Sequence, residues 1–166
     1  MKKSRILLSL TCLATLFLLN GCTKSTPYCS GANQFEQQSI APEGFKVVGK
    51  LWYHNVLPGE GDHMSENLQV FIGDHDPLPV NYGRDHVIRI GGGARYDVPV
   101  VFYVPFDYIT SSVEQATLIS NRSENKEFTF TIKGFGTVLV GPDQYDMPVD
   151  VTRSMSVWPE RESDNF

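Results

Sequence analysis

No stretch of this sequence repeats apolar residues at the three-to-four-residue spacing of an amphipathic helix, which excludes helical bundles and doubly wound α/β folds. It also lacks a hydrophobic run long enough to cross a bilayer. The longest, from Ile6 to Leu19, would rise only ~21 Å as a helix, against a hydrocarbon core of ~30 Å. There is no internal repeat and no low-complexity tract. Positive charge is scarce: Lys and Arg number 14 against 19 Asp and Glu. A balance of that sign repels phosphate backbones and excludes nucleic acid as a partner class. The three cysteines are too few for a disulfide framework.

What is present begins with an order of segments. Lys2, Lys3 and Arg5 precede the apolar run, and Leu19-Asn20-Gly21-Cys22 closes it. A basic start, a short apolar core and a small residue before cysteine form a secretory signal of the bacterial lipoprotein kind. Cleavage before Cys22 removes residues 1–21, and a covalent lipid on Cys22 becomes the anchor. The removed segment takes three basic and no acidic residues, so 11 basic face 19 acidic ones in the mature chain, a formal charge of −8. Each buried CH₂ contributes ~0.8 kcal/mol, so several acyl chains on one residue hold firmly. By likeness to known lipoproteins, Thr23 rather than Asp after the cysteine directs the protein to the outer membrane, its domain facing the periplasm. Cys12 leaves with the signal. Cys29 is then either a tolerated thiol or an interchain bridge in an oxidising compartment.

Residues 22–44 are rich in Ser, Gln and Pro without sustained periodicity and are expected to form a flexible tether. From Phe45 the pattern has period two. Phe45, Val47, Leu51 and Tyr53 share one face; Leu68, Val70 and Ile72 share another; Phe128 to Ile132 alternates, and Thr137–Val140 follows after Gly134 and Gly136. In the last run Val149, Val151, Met155 and Val157 face inward, with Arg153 on the same parity reaching the rim. Pro99 cannot donate to a ladder, so its strand is expected to start at an edge. The segment Val113–Ser120 is mixed, and Ala116–Ile119 within it is open to strand or helix. Residues 45–158 are therefore expected to form an all-β antiparallel sandwich, or a small barrel, of about seven or eight strands, with 159–166 a frayed tail.

Four histidines, His54, His63, His75 and His86, fall within residues 54–86, three of them beside aspartate. Imidazole and carboxylate together can hold Zn²⁺ or Cu²⁺, which marks His63, Asp74, His75, Asp76 and His86 as candidate ligands. The same Asp residues beside Gly or Pro are ordinary turn chemistry. The strand Leu68–Ile72 also separates His63 from His75. Gly91-Gly92-Gly93 lacks the Lys-Ser/Thr of a phosphate loop, and Ser123-x-x-Lys126 lies in a turn pattern rather than on a helix. No nucleophile–base pair is visible, and no enzymatic activity is expected. Trp52, Phe71 and Tyr103 alternate against the inward sets. They form either a second buried layer or an exposed patch that meets a partner.

Gly49-Lys50-Leu51-Trp52-Tyr53 with Leu57-Pro58, then the Leu68-Val70-Ile72 strand, then Pro99-Val100-Val101-Phe102-Tyr103-Val104-Pro105-Phe106-Asp107, resembles the YbaY/YscW lipoproteins over residues 45–158. The Asp/His-rich stretch 73–96 is longer than its counterpart there. The resemblance implies a small β-sandwich lipoprotein, and some members of that family are pilotins, which bind a secretin's tail and carry it to the outer membrane. The expected function is a non-enzymatic binding or scaffold lipoprotein for an envelope or secretion protein. The alternative is a periplasmic metal- or small-ligand-binding lipoprotein using residues 62–86. Strand addition is the expected binding mode, with the Pro99 strand as candidate edge.

Overall fold

The period-two runs become strands in the computed structural model, which describes residues 25–41, 43–82, 87–109 and 126–157. In chain order they are β1 (Tyr28–Ala41), β2 (Gly44–His54), β3 (Gly61–Phe71), β4 (Leu78–Pro79), β5 (Asn81–Tyr82), β6 (Ile88–Ile90), β7 (Arg95–Pro105), β8 (Lys126–Val140) and β9 (Asp143–Val157). A 3₁₀ turn, Phe106–Tyr108, follows β7. One sheet has the order β1-β2-β7-β5; the other runs β4-β3-β8-β9, with β6 also on β3. All pairings are antiparallel. The all-β sandwich expected from the sequence is what forms, and the sheets do not close into a barrel. The expected 113–120 element lies outside the described residues.

Alternation sets the core. Phe45, Val47, Leu51 and Tyr53 of β2 are fully buried against Val98, Val100, Phe102 and Val104 of β7 and against Leu68, Val70, Phe130 and Ile132 of the facing sheet. Burying each such side chain contributes ~1.5–3 kcal/mol. β2 and β7 pair without a break from Gly44↔Pro105 to His54↔Arg95. β8 and β9 pair without a break from Lys126↔Val157 to Val140↔Asp143. The two-residue connection between them opens with Gly141 at φ +61°.

Two expectations about boundaries change. The segment read as part of a tether, Tyr28–Ala41, pairs with β2 as an edge strand. Its register shifts between Cys29 and Gly31, between Asn33 and Glu36, and between Gln37 and Ser39, with Gly31 at φ +144° and Gln34 at φ +55°. Each shift resets the alternation, so no period survives in the sequence. β1 is nonetheless part of the core: Ala32 is buried, and the Phe35 ring occupies the space that Gly49 leaves, 5.0 Å from the Phe130 ring centroid. The runs Phe128–Ile132 and Thr137–Val140 are one strand, β8, because Gly134 and Gly136 continue it rather than end it.

The sandwich is fastened along both sides. On one, residues 78–82 cross from sheet to sheet: Leu78 and Pro79 pair with β3, and Asn81 and Tyr82 pair with β7. On the other, Arg153 of β9 donates from Nε to the Ala32 carbonyl of β1 at 2.8 Å. Pro99 stands where its missing N–H costs least. Among the described residues β5 covers the outer side of β7 only at Val100 and Val101. At one end, buried Asn55 donates from Nδ2 to the Gly59 and Gly91 carbonyls and accepts from the Leu57 N–H through Oδ1. That side chain joins the β2–β3 and β6–β7 loops.

Candidate functional site

The densest chemistry lies inside the sandwich. His63 and Glu66 come from β3, and both side chains are sealed from solvent. Two intervening residues on a regular strand would put them on opposite faces. Between His63↔Val138 and Ser65↔Thr137, however, β3 carries one extra residue, Met64, which is expelled to the surface. This bulge resets the parity and turns Glu66 inward after His63. Re-aiming a side chain is a common use of such bulges.

Glu66 Oε1 lies 2.7 Å from His63 Nε2, and Glu66 Oε2 accepts from the Tyr53 hydroxyl at 2.9 Å. On its other ring nitrogen, His63 Nδ1 is 3.1 Å from the Tyr96 hydroxyl, which in turn points at Met147 Sδ at 3.8 Å. The Tyr53 and Tyr96 rings stack at 5.6 Å and 22°, and the His63 ring sits 5.1 Å from that of Tyr53. Tyr53 and Tyr96 belong to one sheet; His63, Glu66 and Met147 belong to the other. The cluster is a polar bond between sheets in a largely apolar interior. Room for it comes from β8: a Cβ on Gly136 would stand 2.8 Å from the Tyr53 hydroxyl and within 3.0 Å of both Glu66 carboxylate oxygens.

Burial and the Glu66 carboxylate both push the Tyr53 hydroxyl well above the usual tyrosine range, in that order of size. Tyr53 is therefore a fixed donor. The chain Tyr96–His63–Glu66–Tyr53 is closed off, because neither His63 nor Glu66 meets solvent. Its chemistry is to hold two sheets in one register.

The other sequence candidates are dispersed. Asp74, His75 and Asp76 lie in the exposed turn after β3, where the His75 ring stacks on Tyr108 at 4.3 Å and 14°. The strand between carries His63 roughly 26 Å away at ~3.3 Å per residue, and His63 is already committed to Glu66 and Tyr96. His86 lies outside the described residues. Among the described residues no three His, Cys, Asp or Glu side chains gather in a metal-holding group. Trp52 and Tyr103 are exposed on the outer face of the β2–β7 pair, at register positions Trp52↔Asp97 and Lys46↔Tyr103. Six residues along β2 separate those positions, roughly 20 Å. Phe71 is half-buried on the other sheet, with Lys133 Nζ 5.8 Å above its ring. The three aromatics thus form neither one patch nor one buried layer. Cys29 lies half-buried in β1, its Sγ 3.6 Å from the Gly31 carbonyl oxygen. Cys22 precedes the described residues, among which no helix is long and apolar enough to cross a membrane.

Sequence reasoning passed over Glu66, Tyr96 and the Tyr53 hydroxyl. The available signal was a histidine and a glutamate three residues apart in an otherwise strand-like segment, opposite a glycine-broken strand.

No family model matches the chain, and no curated protein matches it. Among solved structures it is similar to a protein from Archaeoglobus fulgidus (TM-score 0.45, 8% identity, covering 80% of this chain and 98% of that one). It is also similar to a putative late embryogenesis abundant protein (TM-score 0.43, 12% identity, 99% of this chain and 90% of that one). A third similar structure is a protein from Arabidopsis thaliana (TM-score 0.42, 10% identity, 89% of this chain and 95% of that one).

Proposed function

We propose that this chain is a lipid-anchored, non-enzymatic binding module of the bacterial outer membrane that holds or escorts another envelope protein, as pilotins do. The lipobox Leu19-Asn20-Gly21-Cys22 supports the anchor. Enclosure of His63 and Glu66 supports a binding role, since the best-organised ionisable groups are out of reach of any substrate.

The observation that carries the binding mode is the edge of β9. It is a 15-residue strand; among the described residues its only ladder is with β8, and β1 meets its other side at Arg153. An extended partner segment adding to this edge gains backbone hydrogen bonds, and the side chains beside it supply selectivity. β9 suits this better than the Pro99 strand, which has β2 along one side and β5 on part of the other. It also suits it better than β1, whose three register shifts break up a continuous ladder.

Photo-crosslinking residues placed at Gln144 and Thr152 of β9 in the lipidated protein, with Gln69 of β3 as the comparison position, test this in cells. Recovery of one envelope protein from both β9 positions and not from Gln69 is the expected result. Equal recovery at all three positions, or none at β9, refutes strand addition.

A further inference from the structure

Pairing of β1 with β2 changes how far the domain stands from its anchor. With residues 22–44 as a coil, the body would hang loosely. With β1 starting at Tyr28, only six peptide steps separate Cys22 from the fold, a reach of at most ~21 Å. Tyr28 enters opposite His54, and Gly31 lies opposite Trp52. The short connection therefore delivers the anchor to the end of the β1–β2–β7 sheet that carries Trp52.

The outer face there is fitted for a headgroup layer. Trp52 is 41% exposed. Beside it the Tyr28 ring meets the His54 ring edge-on at 5.6 Å, and the Tyr28 hydroxyl is 3.3 Å from His54 Nδ1. Tryptophan and tyrosine are the residues that settle at membrane interfaces, apolar ring inward and polar atom to water. The outward positions of β2 and β7 add Lys46, Lys50 and Arg95; Glu36 and Asp97 oppose them, and Asp97 is 3.7 Å from Lys50. With Glu43 at its rim the face balances three basic against three acidic residues, in a mature chain of charge −8. The opposite outer face carries Asp62, Glu127, Asp146 and Asp150 against Arg89 and Lys133, and it would be repelled by anionic lipids.

We infer that the outer face of the β1–β2–β7 sheet, centred on Trp52, lies against the phospholipid headgroups of the membrane that holds the lipid on Cys22. This rests on the lipid anchor proposed above and deepens it by orienting the domain. The face's own affinity is small, but the short connection keeps it at high effective concentration beside the bilayer. The β3–β8–β9 sheet then turns toward the periplasm, where a partner segment can reach it.

The test uses the full lipidated protein carrying Trp158→Phe, which leaves Trp52 as its one tryptophan of the two in the sequence. It is reconstituted in phosphatidylethanolamine–phosphatidylglycerol vesicles with or without bromine on the upper acyl chain. Trp52 emission is expected to fall about twofold with brominated lipid, as for an interfacial indole. Lys50→Glu with Arg95→Glu is expected to restore it. Far-ultraviolet circular dichroism confirms that each variant keeps its strands, and hydrogen exchange of β2 and β7 amides, slower in vesicles than in detergent, gives the same answer without any substitution. An acylated protein with equal emission in both vesicles and no change in exchange overturns the docked face and leaves the anchor standing. A protein whose mass shows no acyl groups overturns both.

Discussion

His63 Nε2 lies 2.7 Å from Glu66 Oε1, with both side chains withdrawn from solvent in the middle of a β-sandwich. Such a pair gives little net stability relative to an apolar replacement, yet losing one partner strands the other in a low-dielectric interior. Glu66→Ala should therefore destabilise the domain by about 3–5 kcal/mol, read as a lower urea midpoint at unchanged slope. His63→Leu combined with Glu66→Leu should cost far less than the two single changes together. Additive losses in that cycle are incompatible with a coupled pair.

Gly136 sits where the Tyr53 hydroxyl and the Glu66 carboxylate need space. Gly136→Ala should lose about 1–3 kcal/mol through overpacking. The neighbouring Gly134, at φ +140° with the Asn67 carbonyl against it, should tolerate alanine even less well. A Gly136→Ala variant as stable as the parent in thermal unfolding contradicts the packing described here.

Tyr53 carries a pH signature. Its hydroxyl stays protonated in the fold well above the range near pH 10 where an unfolded tyrosine ionises. Above about pH 10 the unfolded chain has fewer bound protons than the folded one, so unfolding becomes easier as pH rises. Below that range this contribution is fully present. Tyr53→Phe should lower stability at neutral pH by removing a donor to Glu66, while flattening the fall between pH 10 and higher values. A slope unchanged by Tyr53→Phe places the alkaline sensitivity elsewhere.

The strand Tyr28–Ala41 belongs to the fold. A chain starting at Gly44 loses the partner of β2 and the Phe35 ring that fills the space above Gly49. It should show no cooperative unfolding, whereas one starting at Ser25 should unfold as the parent does. Cooperative unfolding of the shorter chain at the parental midpoint contradicts a structural β1.

Much of this fold can be read from residue order because most strands keep their period. Phe45, Val47, Leu51 and Tyr53 alternate in the sequence and are buried in the structure. Arg153 falls on the inward parity of β9 and does reach the rim, where it bonds to Ala32. Illegible parts share one cause, a residue that shifts register. Three shifts hide β1 within a Ser- and Gln-containing segment, and Met64 hides the inward turn of Glu66. Gly134 and Gly136 mislead in the opposite way: they read as punctuation but make close approaches within one long strand. Spacing along the chain likewise does not show that His63 lies inside the sandwich while His75 lies in the turn beyond β3.

Intact-mass measurement of the protein extracted from membranes tests the anchor most directly. The expected species is a chain beginning at Cys22 and carrying a diacylglyceryl group and an amide-linked fatty acid. A chain of residues 22–166 without added mass, or one still beginning at Met1, contradicts the lipid anchor and the membrane-docked orientation with it.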